Sequence, residues 1–213
     1  METTITGDIV QSRAVDQPDI WLGPLKKLFK NFGDTPKDWE IYRGDSFQLK
    51  VEAREALRIA ILIKSIIKKI DKKKLDVRLA IGIGDDAKYA NRVSEAIGEA
   101  FVYSGELLEE LKEKKIHLGV KSKWPDFDKE LNMMFKLALV IMNSWTSNTA
   151  EVAAILFKVP GITQVEISKK LGIAQSSVND RIKRGSVYEI IELDQYYRDR
   201  IDTLTRNQYS YYP

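Results

Sequence analysis

Cysteine is absent from the 213 residues. That excludes disulfides, thiolate nucleophiles and cysteine-held zinc or iron–sulfur clusters in one step. Histidine is almost absent too. His117 stands alone, so neither a histidine-rich metal site nor a Ser-His-Asp triad is expected within one chain. No apolar run reaches the roughly 20 residues of a membrane span. The strongest, Ile59-Ala60-Ile61-Leu62-Ile63, is cut by Lys64 and again by Lys68 and Lys69. The start, Met1-Glu2-Thr3-Thr4, has neither the basic stretch nor the apolar core of a signal peptide. The expectations are a cytoplasmic location and no membrane partner. An excess of one charge is also lacking. The 34 basic and 31 acidic side chains leave a net +3, so any basic surface must be argued locally.

What is present is ordinary for a globular chain, with 44% hydrophobic and 31% charged residues. That is enough for a sizeable core without metal or disulfide staples. A first strand is expected to end at Thr6-Gly7-Asp8. Leu25, Leu28, Phe29 and Phe32 then recur at helical spacing, with Pro24 in a first turn and Gly33 as a stop. Extended runs follow at Trp39 to Tyr42 and Phe47 to Val51, joined by the hairpin signal Arg43-Gly44-Asp45-Ser46. A long helix is predicted from Glu52 to about Ile70, with Lys72-Lys73-Lys74 at its C-terminal end, where positive charge suits the helix dipole. Val77 to Ile83 and Ile116 to Val120 read as strands around a helix from about Gly98 to Lys114. The first six elements have the βαββαβ order of a ferredoxin-like unit.

After Pro125 the pattern becomes helical throughout. Asp126 to about Trp145 is one helix. Ala150 to Phe157, Gln164 to Leu171 and Ser176 to Lys183 are three short ones, and Glu189 to Leu204 a fourth. The expected fold class is α+β: a ferredoxin-like domain over 1–124, a connecting helix over 125–145 and an all-α domain over 146–213. The aromatic tail, Tyr209-Ser210-Tyr211-Tyr212-Pro213, reads as packing or fraying.

Two aspartates occupy suggestive places. Asp8 follows the first strand, and Asp45 lies at the hairpin tip. In a βαββ arrangement these positions can converge at one sheet edge. Paired carboxylates suit Mg²⁺ or Mn²⁺, which prefer hard oxygen ligands. Gly-Asp is equally a common turn pair, so a purely structural role stays open. Gly82-x-Gly84-Asp85-Asp86 reads as a strand-ending turn, His117 as a structural residue, and the lysines from Lys68 to Lys74 as a solvated helix end.

Four segments resemble a known family. Asp8-Ile9-Val10-Gln11-Ser12 resembles the first metal-binding segment of class III nucleotide cyclases, and Gly44-Asp45-Ser46-Phe47 their Gly-Asp-Gly-Phe hairpin. Arg78-Leu79-Ala80-Ile81-Gly82-Ile83-Gly84 resembles the strand that follows, and Gly98-Glu99-Ala100 the start of the helix carrying the catalytic Asn and Arg. Ile5 to Arg13 and Gly98 to Gly105 look even more like SatD-type proteins, bacterial proteins with a cyclase-like N-terminal region. The resemblance implies a cyclase-like fold, a metal role for Asp8 and Asp45, a nucleotide ligand and a homodimer. It also implies that cyclase activity is lost, because the Asn and Arg positions fall near Val102 and Glu106. Neither side chain replaces those donors.

Thr163 to Arg184 carries the second signal. Ile167 and Leu171 mark one side of a first helix, Gly172 permits a turn, and Ile173, Val178 and Ile182 give a second helix an apolar face. The segment resembles bacterial helix-turn-helix domains. Gln175, Ser176, Ser177, Asn179 and Arg181 are then candidates for base edges, and Lys169, Lys170, Lys183 and Arg184 for phosphates. From Lys158 to Arg184 six basic and two acidic residues leave +4, more than the whole chain carries. The expectation is a DNA-binding transcriptional regulator whose N-terminal domain senses or dimerises. The alternatives are a Mg²⁺-dependent nucleotide-binding or nucleotide-processing enzyme with a regulatory helix-turn-helix domain, and a cyclase-derived scaffold with neither ligand nor DNA.

Overall fold

A two-residue alternation along β1 (Glu2–Val10) and β4 (Asp76–Gly84) organises the N-terminal half of this computed structural model, which describes residues 1–42, 44–70, 75–85 and 91–209. Ile5, Ile9, Val77, Leu79, Ile81 and Ile83 enter the main core. Ala80, one residue out of step, joins Leu107, Leu108 and Leu111 in a second cluster. Successive side chains of a strand point to opposite faces, so this sheet is covered on both. Helices α1 (Asp19–Phe29) and α2 (Ala56–Lys69) lie on the first face, and α3 (Glu99–Lys114) on the second.

Strands β2 (Trp39–Tyr42), β3 (Ser46–Val51) and β5 (Leu118–Ser122) complete a five-stranded sheet of order β2-β3-β1-β4-β5. Its neighbours are antiparallel except β4 and β5, which run parallel. Register places Asp8 opposite Ser46 on one side and Arg78 on the other. Helix α3 lies very close to β4 because Gly82 and Gly84 have no side chains. A Cβ at Gly82 would collide with the Ala100 carbonyl and the Ser104 amide, and one at Gly84 with the Glu99–Ala100 backbone. Strand β4 ends at Gly84, as expected, and the glycine pair also serves helix docking. Asp86 and Lys72 to Lys74 lie outside the described residues, as do Arg43 of the hairpin and the tail beyond Tyr209.

Most predicted elements form, with shifted ends. Strand β1 runs two residues past Asp8. Helix α1 begins at Asp19, which puts Pro24 inside it rather than in its first turn. The segment before α2 tightens into a 3-10 turn at Ala53–Glu55. Strand β5 starts at Leu118, so His117 precedes it.

His117 is also partnered. Its Nδ1 lies 3.2 Å from Asp76 Oδ2, while Lys64, only 1% exposed, donates to both oxygens of Asp76 at 2.8 and 3.1 Å. Burial pushes the Asp76 carboxyl up. The His117 hydrogen bond and the Lys64 charge outweigh that and hold it well below the usual carboxylate range.

Helix α4 (Pro125–Asn143) leads into α5 (Ser147–Lys158), α6 (Gln164–Leu171), α7 (Gln175–Arg184) and α8 (Val187–Tyr209). The two halves share one core: α5 packs on α2, and the main cluster extends from Ile5 to Ile201. Helix α8 folds back across the N-terminal half. Buried Tyr197 donates to the Ala53 carbonyl at 2.9 Å, Arg198 pairs with Glu55, and Arg200 with Glu130. No helix among the described residues is long and apolar enough to cross a membrane.

Candidate nucleic-acid interface

Helix α6 starts with a reciprocal cap. Thr163 Oγ1 accepts from the Glu166 amide at 3.2 Å, and Glu166 Oε2 accepts from the Thr163 amide at 2.8 Å. The Thr-x-x-Glu spacing is the sequence signature of this cap. Gly172 ends α6 at φ +65°, a left-handed conformation that glycine adopts without a Cβ penalty. Ile167, Val178 and Ile182, each no more than 1% exposed, then hold α6 and α7 together and to the core.

The apolar residues face inward, so the polar ones of α7 are left outside. Gln175, Ser176, Lys183 and Arg184 are exposed, and Ser177 and Asn179 are half-buried. Lys169 and Lys170 are exposed at the end of α6. Arg181 is placed differently from the rest. Its Nη1 lies 3.4 Å from Glu151 Oε2 on α5, and the other oxygen of Glu151 receives Lys69 of α2 at 3.3 Å. The arginine expected to meet a base is thus tied, through one carboxylate, to the N-terminal half.

A polar hollow of about 450 Å³ opens between the start of α5 and the side of α7. Ser144, Thr146 and Asn148 line one wall, and Ser177, Arg181, Arg184 and the carboxylate of Asp180 the other. The first turn of a helix offers unpaired N–H groups, which suit a phosphate when an arginine stands opposite. The sequence reading missed Ser144, Thr146 and Asn148. The available signal was the polar run Thr146-Ser147-Asn148-Thr149 opening a helix.

The second candidate site lies at the end of β1. Asp8 and Asp45 line one hollow of about 270 Å³ with Ser12, Arg13 and Arg78. Both oxygens of Asp8 accept from Arg78 Nη1, at 3.0 and 2.9 Å, and Asp45 Oδ2 accepts from Ser12 Oγ at 2.6 Å. Arg78 Nε is buried and has no hydrogen-bond partner among the described residues. A hard cation here would have to displace the guanidinium from Asp8, so the donor set does not fit Mg²⁺ as it stands. Among the described residues no group of three acidic or histidine side chains is placed to hold a metal. On α3, Val102 is 49% exposed and Glu106 pairs with Lys121 at 2.8 Å.

One family model, a winged helix-turn-helix DNA-binding family, matches residues 154–184. The match covers the second half of α5 with α6 and α7. Helix α8 follows directly after Gly185 and Ser186, so no β-hairpin succeeds α7 among the described residues. No curated protein and no solved structure matches the chain.

Proposed function

We propose that this chain is a cytoplasmic DNA-binding transcriptional regulator, with α7 as its reading helix and the sheet domain serving sensing or dimerisation. The observation that carries this reading is the exposure of Gln175, Ser176, Lys183 and Arg184 on one capped helix-turn-helix, within a segment matched by a DNA-binding family. Phosphates would select Lys169, Lys170, Lys183 and Arg184, and base edges would meet the start of α7.

The order β2-β3-β1-β4, antiparallel throughout, supports a ferredoxin-like, cyclase-like relation for the sheet domain. A homodimer is supported by an apolar stripe on α4: Met133, Leu137 and Val140 are 59%, 66% and 73% exposed. Their spacing puts them on one helix face. A second copy seated there would present two reading helices to related half-sites.

The test is fluorescence anisotropy of the full chain against a sheared genomic DNA library over a salt series. Four phosphate contacts per subunit predict a log–log slope near about −3.6. Binding that ignores salt, or no binding at low salt, would remove the reading.

One observation favours a second reading, nucleotide binding helped by Mg²⁺ or Mn²⁺: Asp8 and Asp45 share a hollow, but a metal would first have to displace Arg78 from Asp8. Its check is nucleotide binding with and without Mn²⁺, in the original chain and in Arg78→Ala. This reading requires Arg78→Ala to bind the metal more tightly, and it is abandoned if neither protein responds.

A further inference from the structure

A groove of about 380 Å³ lies where α1, α2, α5 and the end of α6 meet. Leu28, Leu62, Ile66 and Ile155 form its floor. Its rim is cationic. Lys27, Lys69, Lys158 and Lys170 come from four different helices, and Glu151 is the one carboxylate among the described residues of the lining. Lys69 pairs with Glu151, while Lys27, Lys158 and Lys170 have no ion-pair partner among the described residues. The volume lies within the about 300–1,000 Å³ of small-molecule sites, which are mostly apolar with a few charged groups that orient the ligand.

We propose that this groove is an effector site for a small amphipathic anion, an alkyl or aryl body with one carboxylate or sulfate head, whose binding weakens DNA binding. The occupant follows from the lining. An apolar floor takes a hydrocarbon body, and three unpaired ammonium groups above it take an anionic head. A purely ionic ligand would waste the floor, and a neutral one would leave the lysines unpaired.

Coupling follows from two of the lining residues. Lys170 is one of the four residues assigned to DNA phosphates, and an anion on it competes with them. Glu151 divides its oxygens between Lys69 and Arg181. A head group that draws Lys69 away leaves Glu151 with Arg181 alone and holds that arginine off the DNA. Both effects lower DNA affinity, and by linkage DNA lowers affinity for the anion equally.

The ligand half stands without DNA; only the coupling half rests on the DNA-binding reading. Octanoate is titrated into the full chain by calorimetry, beside hexanoate, 1-octanol and inorganic phosphate. Expected are saturable octanoate binding, about fourfold weakening per methylene removed, at least tenfold weaker octanol and no binding of phosphate alone. Lys27→Glu, an exposed change outside the DNA set, should weaken octanoate at least fivefold. Ala154→Phe, which fills the groove, should abolish binding while circular dichroism stays native. No saturable binding, or equal binding of octanol, overturns the site.

Anisotropy with saturating octanoate is expected to show at least fivefold weaker DNA binding, and unchanged affinity overturns the coupling. A chain that binds octanoate but no DNA refutes the proposed function and leaves the ligand site standing.

Discussion

Arg181 of α7 is held 3.4 Å from Glu151 on α5. The same carboxylate contacts Lys69 at the end of α2, so one acidic side chain joins the N-terminal half to α7. Arg181 and Glu151 are both partly exposed, so their ion pair is worth no more than about 1 kcal/mol. A contact that weak can exchange with a base edge. Glu151→Gln should release Arg181, tighten DNA binding severalfold and sharpen the sequence preference at the base it meets. Selection from a random DNA pool checks this, and an unchanged preference would mean that Arg181 never reaches a base.

Contacts to backbone and to bases should separate cleanly. Lys183→Ala is expected to weaken specific and non-specific DNA alike, because a phosphate contact carries no sequence information. Gln175→Ala or Asn179→Ala should alter sequence preference more than overall affinity. Selection from a random DNA pool with each variant distinguishes the two classes.

The Lys64–Asp76 pair is buried, and breaking it is costly. Asp76→Ala leaves the ammonium of Lys64 unpaired and should cost about 3–5 kcal/mol. Asp76 also sets a pH dependence. Its folded-state carboxyl titrates lower than in the unfolded chain, so its stabilisation is complete above the unfolded value, about 3.9. It is lost as pH falls below that value towards the depressed folded one. Urea denaturation at pH 6, 4 and 3 should show the decline, and Asp76→Asn should flatten it.

Close helix docking makes Gly82 intolerant of any side chain. Gly82→Ala drives a methyl group into the backbone of α3 and should cost at least about 1–3 kcal/mol. For a chain of this length each kcal/mol lowers Tm by about 2–4 °C. Gly105→Ala on α3, where a Cβ meets nothing within 4 Å, serves as the control and should not lower Tm.

The α4 stripe gives the proposed homodimer a direct test. Leu137→Glu places a charge at its centre and should convert a dimer to a monomer in sedimentation velocity. The original chain and the variant sedimenting alike would assign the stripe to something other than self-association.

Local rules made much of this molecule legible in its sequence. Periodicity placed α6 at Gln164–Leu171, as found. Gly172 announced the turn because its left-handed backbone disfavours other residues. Ile167, Val178 and Ile182 identified the buried face and so, by exclusion, the exposed one. Such signals need only neighbours a few residues away. Tertiary structure decided the rest, because those contacts join distant segments. His117 lies 41 residues from Asp76, Asp8 lies 70 from Arg78, and Arg181 lies 30 from Glu151. The sequence marked Asp8 and Arg181 as polar groups free to act. Chain packing set a counter-charge beside each, and no pattern of local spacing encodes which distant partner a side chain will meet.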